Sequence, residues 1–527
     1  MNRLKASFYN HRLVFLIIAL GIVIRLFACQ YTYIINSDGV LYVHQARALY
    51  YQDLENIYKC GVEYLSIYPQ LIALFFPITG DFLTAAITVS CLFGSLTLIP
   101  IFFLMRRFFS IQTSGIVTLI YAMLPVFVAR SADVLRGPVC WFFLAWGMLA
   151  FIQYIDYKKW GYLFLSLICF IFSTWARIEA VVGFPAVFFY LFILSKNKKN
   201  ILIKGVMITG FIILIALCLE WVWDLQLNNV YRIEEITQKV IEPYQKYENL
   251  RKILKEQSHK DRFGFFDNFL INARHQIHFV AFGALISNAF EAFFYPFFLF
   301  FIVGFVKIRK KIKDDPRLWF FIFMSLTGMY IIFIHIIQHW MIEYRYFALV
   351  IISTCVFAGF GVESCKSYLS KKFQMRPEIA IACICIFILL FGLGKNLKSR
   401  EKDKYIYRQM GENIAQIEKN NLPVNVASFM NSTVCEKVHF YANRSFTGVV
   451  CPRQRINFKA LSQNNYQSFI EQLKNYNAQY FLWEKRLWPD NWFDFRQCVQ
   501  KKDFFPIMRY KKSDKDYLIL YKRSSRG

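Results

Sequence analysis

The sequence predicts an α-helical, polytopic membrane protein with a small α/β domain at its C-terminal end. Three observations carry that fold class. The 527 residues are 56% hydrophobic, above the ~45–50% usual for soluble domains. The excess is gathered in runs long enough to cross a bilayer, which takes about 20 apolar residues. The short loops between the runs alternate in basic charge.

About eleven spans follow from the runs: 13–33, 82–105, 113–130, 138–155, 160–175, 179–195, 201–222, 285–306, 318–337, 346–363 and 378–394. The first run is interrupted by Arg25, and no small-residue cleavage site follows it. It reads as a retained span rather than a signal peptide. One set of loops holds Arg106 and Arg107, Lys158 and Lys159, KNKKN at 196–200, KIRKKIKDDPR at 307–317, and Lys366, Lys371, Lys372 and Arg376. These are short and basic, so that set and the N-terminus are expected on the cytoplasmic side. The other set is then external: 34–81, 131–137, 176–178, 223–284, 338–345 and everything after 395. The expected division is a membrane domain, 1–395, followed by an external α/β domain, 396–527. There is no internal repeat and no low-complexity linker.

The net charge of +27 does not point to nucleic acid, because the basic residues lie between apolar runs. The thirteen cysteines have no metal-binding spacing. Most lie inside apolar runs, where Cys behaves as a small hydrophobe. The Lys-, Asn- and Phe-rich composition suggests an AT-rich bacterial genome, so the expected location is a bacterial inner membrane.

The tail alternates helical and strand-like patterns. YIYRQMGENIAQIEK precedes VNVASF, SFIEQLKNY precedes AQYFLWE, and FFPIMRY and YLILYKR close the chain. That alternation suggests a small sheet with helices packed on it. The tail is basic, with 24 Lys and Arg against 12 Asp and Glu. The surplus suits either a solvated face or one near anionic lipid head groups. Cys435 and Cys451 could pair in an oxidising compartment.

Four stretches at the external ends of spans carry charge. The first is YIINSDGVLYVHQAR, 33–47, with Asp38 just past the first span. The loop after it is rich in tyrosine, and 46–51 and 68–76 read as short amphipathic helices lying in the interface. Alone, Asp38 is more often a helix cap than a catalytic acid. The second is ARSADVLRGP, 129–138, with Asp133 and Arg136. Charges at span ends are costly unless paired or solvated, which makes them functional candidates. A snorkelling Arg beside a capping Asp is the competing reading. The third is TWARIEAVVGFP, 174–185, with Arg177 and Glu179. The fourth is HIIQHWMIEYRYF, 335–347, with His339, Glu343, Arg345 and Tyr346. Recurrent arginine suits a phosphodiester or pyrophosphate, which the planar guanidinium fork grips in two places.

These stretches resemble the family 39 type of GT-C glycosyltransferases, the protein O-mannosyltransferase and aminoarabinosyl-lipid A transferase relatives. The resemblance rests on NSDGVLYVHQARAL, YPQLIALF, SADVLRGPVCWFF, WARIEAVVGFP and EYRYFALVIISTCVFAGFG in that order. It implies a GT-C fold and inverting transfer of a sugar from a polyprenyl-phosphate carrier on the external face. Asp38 matches the first-loop acid, taken as general base, and Asp133 the acid of the second external loop. Many relatives have Glu after the first-loop Asp, where this chain has Gly39. Many have Asp after the second-loop Arg, where this chain has Gly137.

The chemistry agrees with those roles. An acceptor hydroxyl must lose its proton as it attacks the anomeric carbon, and a placed carboxylate can take it. The leaving phosphate needs charge stabilisation, which Arg136, Arg177 and Arg345 could give. Glu179, Tyr346, Glu63 and His339 are the supporting candidates. A divalent metal could share the task, with Glu63 and His339 as its candidate ligands. The expected partners are a polyprenyl-phosphate-linked sugar and a lipid, glycan or protein acceptor. Two other classes fit a polytopic chain with these loops. A lipid-linked sugar flippase would place polar residues near the bilayer midplane, where this chain has little beyond Arg25. A surface-polysaccharide polymerase or ligase would use a large external loop such as 223–284.

Overall fold

In the computed structural model, each expected span except 201–222 has an apolar helix beneath it. The structure describes residues 2–62, 64–194, 233–258, 264–419, 421–428, 432–451, 465–485, 488, 492–499, 503–513 and 516–524. Span 201–222, the KNKKN lysines and Glu63 lie outside the described residues. Among those described, Phe82–Met105, Gly137–Tyr157, Leu318–His339 and Pro377–Asn396 are straight and long enough to cross a membrane.

Three expected spans are bent. Ile111–Met123 and Pro125–Ser131 meet at 56°. Leu124, ahead of Pro125, is extended at ψ 121°, as a residue before proline tends to be. Tyr344–Ser353 and Cys355–Lys372 meet at 69°. The expected span 285–306 covers two helices, Ile277–Ala292 and Tyr295–Lys311, at 110°. Between them Phe294 takes a positive φ of 61°, ahead of Pro296. The expected 223–284 loop is helical where it is described, with Ile233–Gln257, Gly264–His275 and the start of Ile277–Ala292.

The chain forms two compact units. The first comprises 1–28, 88–132 and 136–398. Its one buried mid-span charge among the described residues, Arg25, is 1% exposed. Its guanidinium donates to Gly21 O at 2.9 Å, Ala122 O at 3.4 Å and Ser131 Oγ at 3.3 Å. A charge inside an apolar bundle persists when it is solvated internally in this way. Helices Tyr295–Lys311 and Cys355–Lys372 approach backbone to backbone. A Cβ on Gly304 would lie 1.6 Å from Phe357 O, and one on Gly361 1.8 Å from Phe300 O. Small residues permit that contact, which supplies the packing between spans.

The loops expected on one side of a membrane meet one another. Arg107 Nε donates to Asp156 at 2.9 Å, and Arg317 reaches Asp156 at 3.0 Å and Asp315 at 2.8 Å. At the opposite helix ends, Arg130 and Arg345 both pair with Glu343, at 3.8 and 3.0 Å.

The second unit comprises 29–87, 133–135 and 399–527. It takes in the first expected external loop as well as the tail. Strands β1 (Val426–Ser428), β2 (Tyr480–Glu484), β3 (Phe504–Ser513) and β4 (Asp516–Arg523) form one sheet in the order β1-β2-β4-β3. β1 and β2 are parallel and the other pairs antiparallel. Side chains alternate across a strand, so Phe481, Trp483 and Tyr521 enter a core with Phe469, Trp488 and Phe495. Tyr480, Leu482 and Leu520 enter the opposite core, with Met410, Ile414 and Val438. Both faces are covered, which is why β2 is buried along its whole length.

Two expectations are corrected here. The disulfide joins Cys60 to Cys451; Cys435 is free, and its thiol donates to Val426 O. The pairing falls to Cys60 because the first loop folds onto the tail. The 46–51 segment is not an interfacial helix. It ends a longer helix, Ser37–Tyr50, buried on all sides from Gly39 to Ala48. Helix Ile67–Thr79 does keep an amphipathic character, with Tyr68 and Ile72 buried and Leu74 and Ile78 exposed.

Candidate active site

Asp38 lies in the first turn of helix Ser37–Tyr50, where the helix dipole attracts negative charge. The cap itself is Asn36. Its side-chain oxygen accepts from Gly39 N–H at 2.7 Å, and its Nδ2 donates to Val134 O at 3.1 Å. One side chain therefore starts the Asp38 helix and ties it to the segment that follows Asp133. Gly39 permits the approach: a Cβ there would lie 2.8 Å from Val134 Cβ and 2.9 Å from Val134 O. The Glu of many relatives would not fit this backbone.

The rest of the stretch is structural. His44 faces Val450 O at 3.1 Å and Asn56 O at 3.0 Å. Arg47 donates to Asn443 O and Arg444 O. Tyr42 packs edge-on against Tyr68. These contacts fasten the Asp38 helix to the C-terminal segment, and Cys60–Cys451 and the Arg444–Asp81 pair at 2.7 Å reinforce them.

Sequence reasoning missed Lys437, which lies on helix Ser432–Ala442 and is 9% exposed. Burial holds its ammonium below the ordinary lysine range, against the pull of Glu401, Glu436 and Asp133. Asp133 thus has a buried cation in its field. The Glu-Lys pair at 436–437 inside an amphipathic helix reads as surface charge, so nothing marked it.

In the first unit, Arg177, Glu179, Arg345 and Tyr346 come together. The Arg177 guanidinium is 3.3 Å from Glu179 and 5.1 Å from the Tyr346 ring centre. Arg345 is 5.6 Å from the same ring and bonds to Glu343. Burial works against the charge on Arg177, but Glu179 outweighs it and keeps its pKa above the ordinary arginine value, with Arg136 close enough to oppose. The neighbouring helix adds histidines. The His335 ring lies 4.5 Å from Tyr346 and 4.5 Å from His339. Positions 335 and 339 are one helical turn apart, so His335 was available to sequence reasoning but passed over.

Glu179, His335 and Tyr346 are among the residues lining a cavity of about 680 Å³. Its walls are otherwise largely apolar, with Val182, Tyr247, Tyr330, Ile331, Ile334 and Leu349 among them. A long apolar chain can occupy such a space, and Arg177 and Arg345, both near the Tyr346 ring, can neutralise an anion beside it. Asp38 and Asp133 belong to the second unit, and Arg136, Arg177, His339 and Arg345 to the first.

Among the described residues, no group of three or more His, Cys, Asp or Glu is gathered to hold a metal ion. The His339 ring lies 4.5 Å from that of His335.

A family model described as dolichyl-phosphate-mannose-protein mannosyltransferase matches residues 67–223. No curated protein sequence matches the chain. Three solved structures have similar folds. The archaeal oligosaccharyltransferase AglB from Archaeoglobus fulgidus, in complex with an inhibitory peptide and a dolichol-phosphate, is 12% identical. Its TM-score is 0.59, over 99% of this chain and 75% of that one. An Archaeoglobus fulgidus oligosaccharyltransferase in complex with zinc and sulfate is 12% identical, with TM-score 0.54 over 96% and 73%. ArnT from Cupriavidus metallidurans, bound to undecaprenyl phosphate, is 10% identical, with TM-score 0.60 over 98% of both chains. The chain has the GT-C fold, as the sequence resemblance implied.

Proposed function

We propose that this protein is an integral-membrane glycosyltransferase that moves a sugar from a polyprenyl-phosphate carrier to an acceptor, with inversion. The observation that carries the reading is the largely apolar cavity lined in part by Tyr346, whose ring centre lies 5.1 Å from the Arg177 guanidinium and 5.6 Å from that of Arg345. Two proteins of the same fold are bound to a dolichol-phosphate and to undecaprenyl phosphate, and a carrier of that class suits this cavity.

In the proposed reaction an acceptor oxygen attacks the anomeric carbon. The bond from that carbon to the phosphate oxygen breaks, and polyprenyl phosphate leaves. The acceptor's proton passes to a carboxylate, Asp38 by resemblance, with Asp133 next in line. Arg177 and Arg345 hold the phosphate and offset the charge it gains, a role suited to fixed cations in a water-poor site. Arg136 supports them. Glu179 and Glu343 fix the two guanidinium planes. Lys437 would offset the charge of Asp133.

The proposed location is a bacterial inner membrane, with residues 396–527 on the external side. The alternation of basic loops supports it, and so does a disulfide, which persists in oxidising compartments. A reporter fused after Lys398 should be active only outside the cytoplasm. For the reaction, reconstituted protein is incubated with a labelled lipid-linked sugar and an envelope extract. Label should leave the lipid. Intact donor moved across the vesicle membrane would indicate a flippase instead.

A further inference from the structure

We infer that a groove at the other end of the first unit is a binding site for an anionic glycerophospholipid of the surrounding membrane. The groove, about 1350 Å³, lies among helices Tyr295–Lys311, Cys355–Lys372 and Pro377–Asn396. Five lysines line it: Lys307, Lys310, Lys311, Lys371 and Lys372. The carboxylate in the lining is Glu363, so positive charge dominates.

The sequence builds this cluster from two directions. Positions 307, 310 and 311 recur at helical spacing and share a face. Lys371 and Lys372 end the second helix. The two helices touch backbone to backbone at Gly304 and Gly361, and all five lysines lie C-terminal to those glycines. Charge from two elements therefore gathers in one place although like charges repel, with Lys311 3.9 Å from Asp314 and Lys372 donating to the Tyr368 hydroxyl at 2.6 Å.

Below the lysines the walls are apolar. Leu299, Phe300, Val303, Phe360, Ile384 and Phe387 line the same groove. A free phosphate has no use for such walls; a phosphodiester head group with acyl chains uses both parts. The basic loops here are those that charge alternation puts on the cytoplasmic side, whose leaflet carries anionic lipid. There lysines near the surface are attracted to the head groups. The groove is built from different residues than the donor cavity, so the inference does not depend on the proposed reaction.

The test is lipid exchange measured by native mass spectrometry on the full chain in neutral detergent. The probes are phosphatidylglycerol and phosphatidylcholine with identical acyl chains. Wild type should retain the anionic lipid at least tenfold better. Lys307→Gln/Lys310→Gln/Lys371→Gln should lose that preference, and the three Lys→Arg changes should keep it. Removing Lys246, Lys252 and Lys255, on helix Ile233–Gln257, should leave it intact. Equal retention of the two lipids by wild type would overturn the inference. So would an undiminished preference in the Gln variant, or displacement of the lipid by millimolar inorganic phosphate. If the Gln variant does not fold, the wild-type comparison and the phosphate competition still decide.

Discussion

Gly39→Ala adds one methyl group, and the structure gives its cost. The new carbon would sit 2.8 Å from Val134 Cβ and 2.9 Å from Val134 O, where non-bonded carbons lie about 3.5–4.0 Å apart. The backbone oxygen cannot rotate away, so a gap of about 1 Å must open between the Asp38 helix and the Asp133 segment. Overpacking of this kind costs about 1–3 kcal/mol. Opening the gap also stretches the Asn36–Val134 hydrogen bond, now 3.1 Å, for about 1 kcal/mol more. A shift of about 1 Å at a catalytic group lowers rate by about 100-fold. Sugar transfer by purified Gly39→Ala protein should therefore show kcat down about 100-fold with donor KM little changed. Gly147→Ala is the control. Its Cβ would meet Phe170 at 2.7 Å, so it should lose stability without a comparable loss of kcat per folded molecule. A Gly39→Ala protein with lowered Tm but wild-type kcat would refute the idea that this contact positions the base.

The other predictions concern groups already described. Asp38→Asn should fold and bind donor but lose about 100-fold or more in kcat, the usual worth of a placed base; near-normal transfer would move that role to Asp133. Arg177→Lys keeps the charge and loses the planar fork, so polyprenyl phosphate binding should weaken about tenfold. Arg177→Ala alone would also strand the half-buried Glu179, so Arg177→Ala/Glu179→Ala is the better donor-binding test; unchanged affinity in both would exclude Arg177 from the phosphate site. His439 is 2% exposed, and burial, with His44 adding to it, pushes its imidazole down to about 4. The unfolded chain, with an ordinary pKa of about 6.5, takes up that proton first as pH falls. Stability is then complete above about pH 6.5 and declines toward pH 4, by about 3 kcal/mol in all. Thermal unfolding across that range should show the loss, His439→Gln should flatten it, and an equal slope in both proteins would contradict the assignment.

The spans were legible because a bilayer demands long apolar runs, and a run such as Leu318–His339 has no competing reading. The bends were less so. Pro125 announces one, but the breaks at Thr354 and Phe294 depend on what the helices pack against. The strands of the tail were visible from alternation, and helix Ser432–Ala442 escaped because STVCEKVHFYA mixes small, charged and aromatic residues. The disulfide was misassigned because its partners are 391 residues apart and Cys435 is nearer in sequence. At the site, arginines at span ends could be picked out because charge beside apolar surface is costly. Lys437, His335 and the reason for Gly39 each depend on a contact or field from elsewhere in the fold. His44 and Arg47, conspicuous beside Asp38, proved to be fasteners.

The central claim is that the chain detaches a sugar from a polyprenyl phosphate. Reconstituted wild-type protein and Asp38→Asn should be given donor labelled in both sugar and lipid, together with an envelope extract. The account predicts that wild type separates the labels, yielding free polyprenyl phosphate and a labelled acceptor, and that Asp38→Asn leaves them together. Labels that stay joined in wild type while donor crosses the vesicle membrane would contradict it.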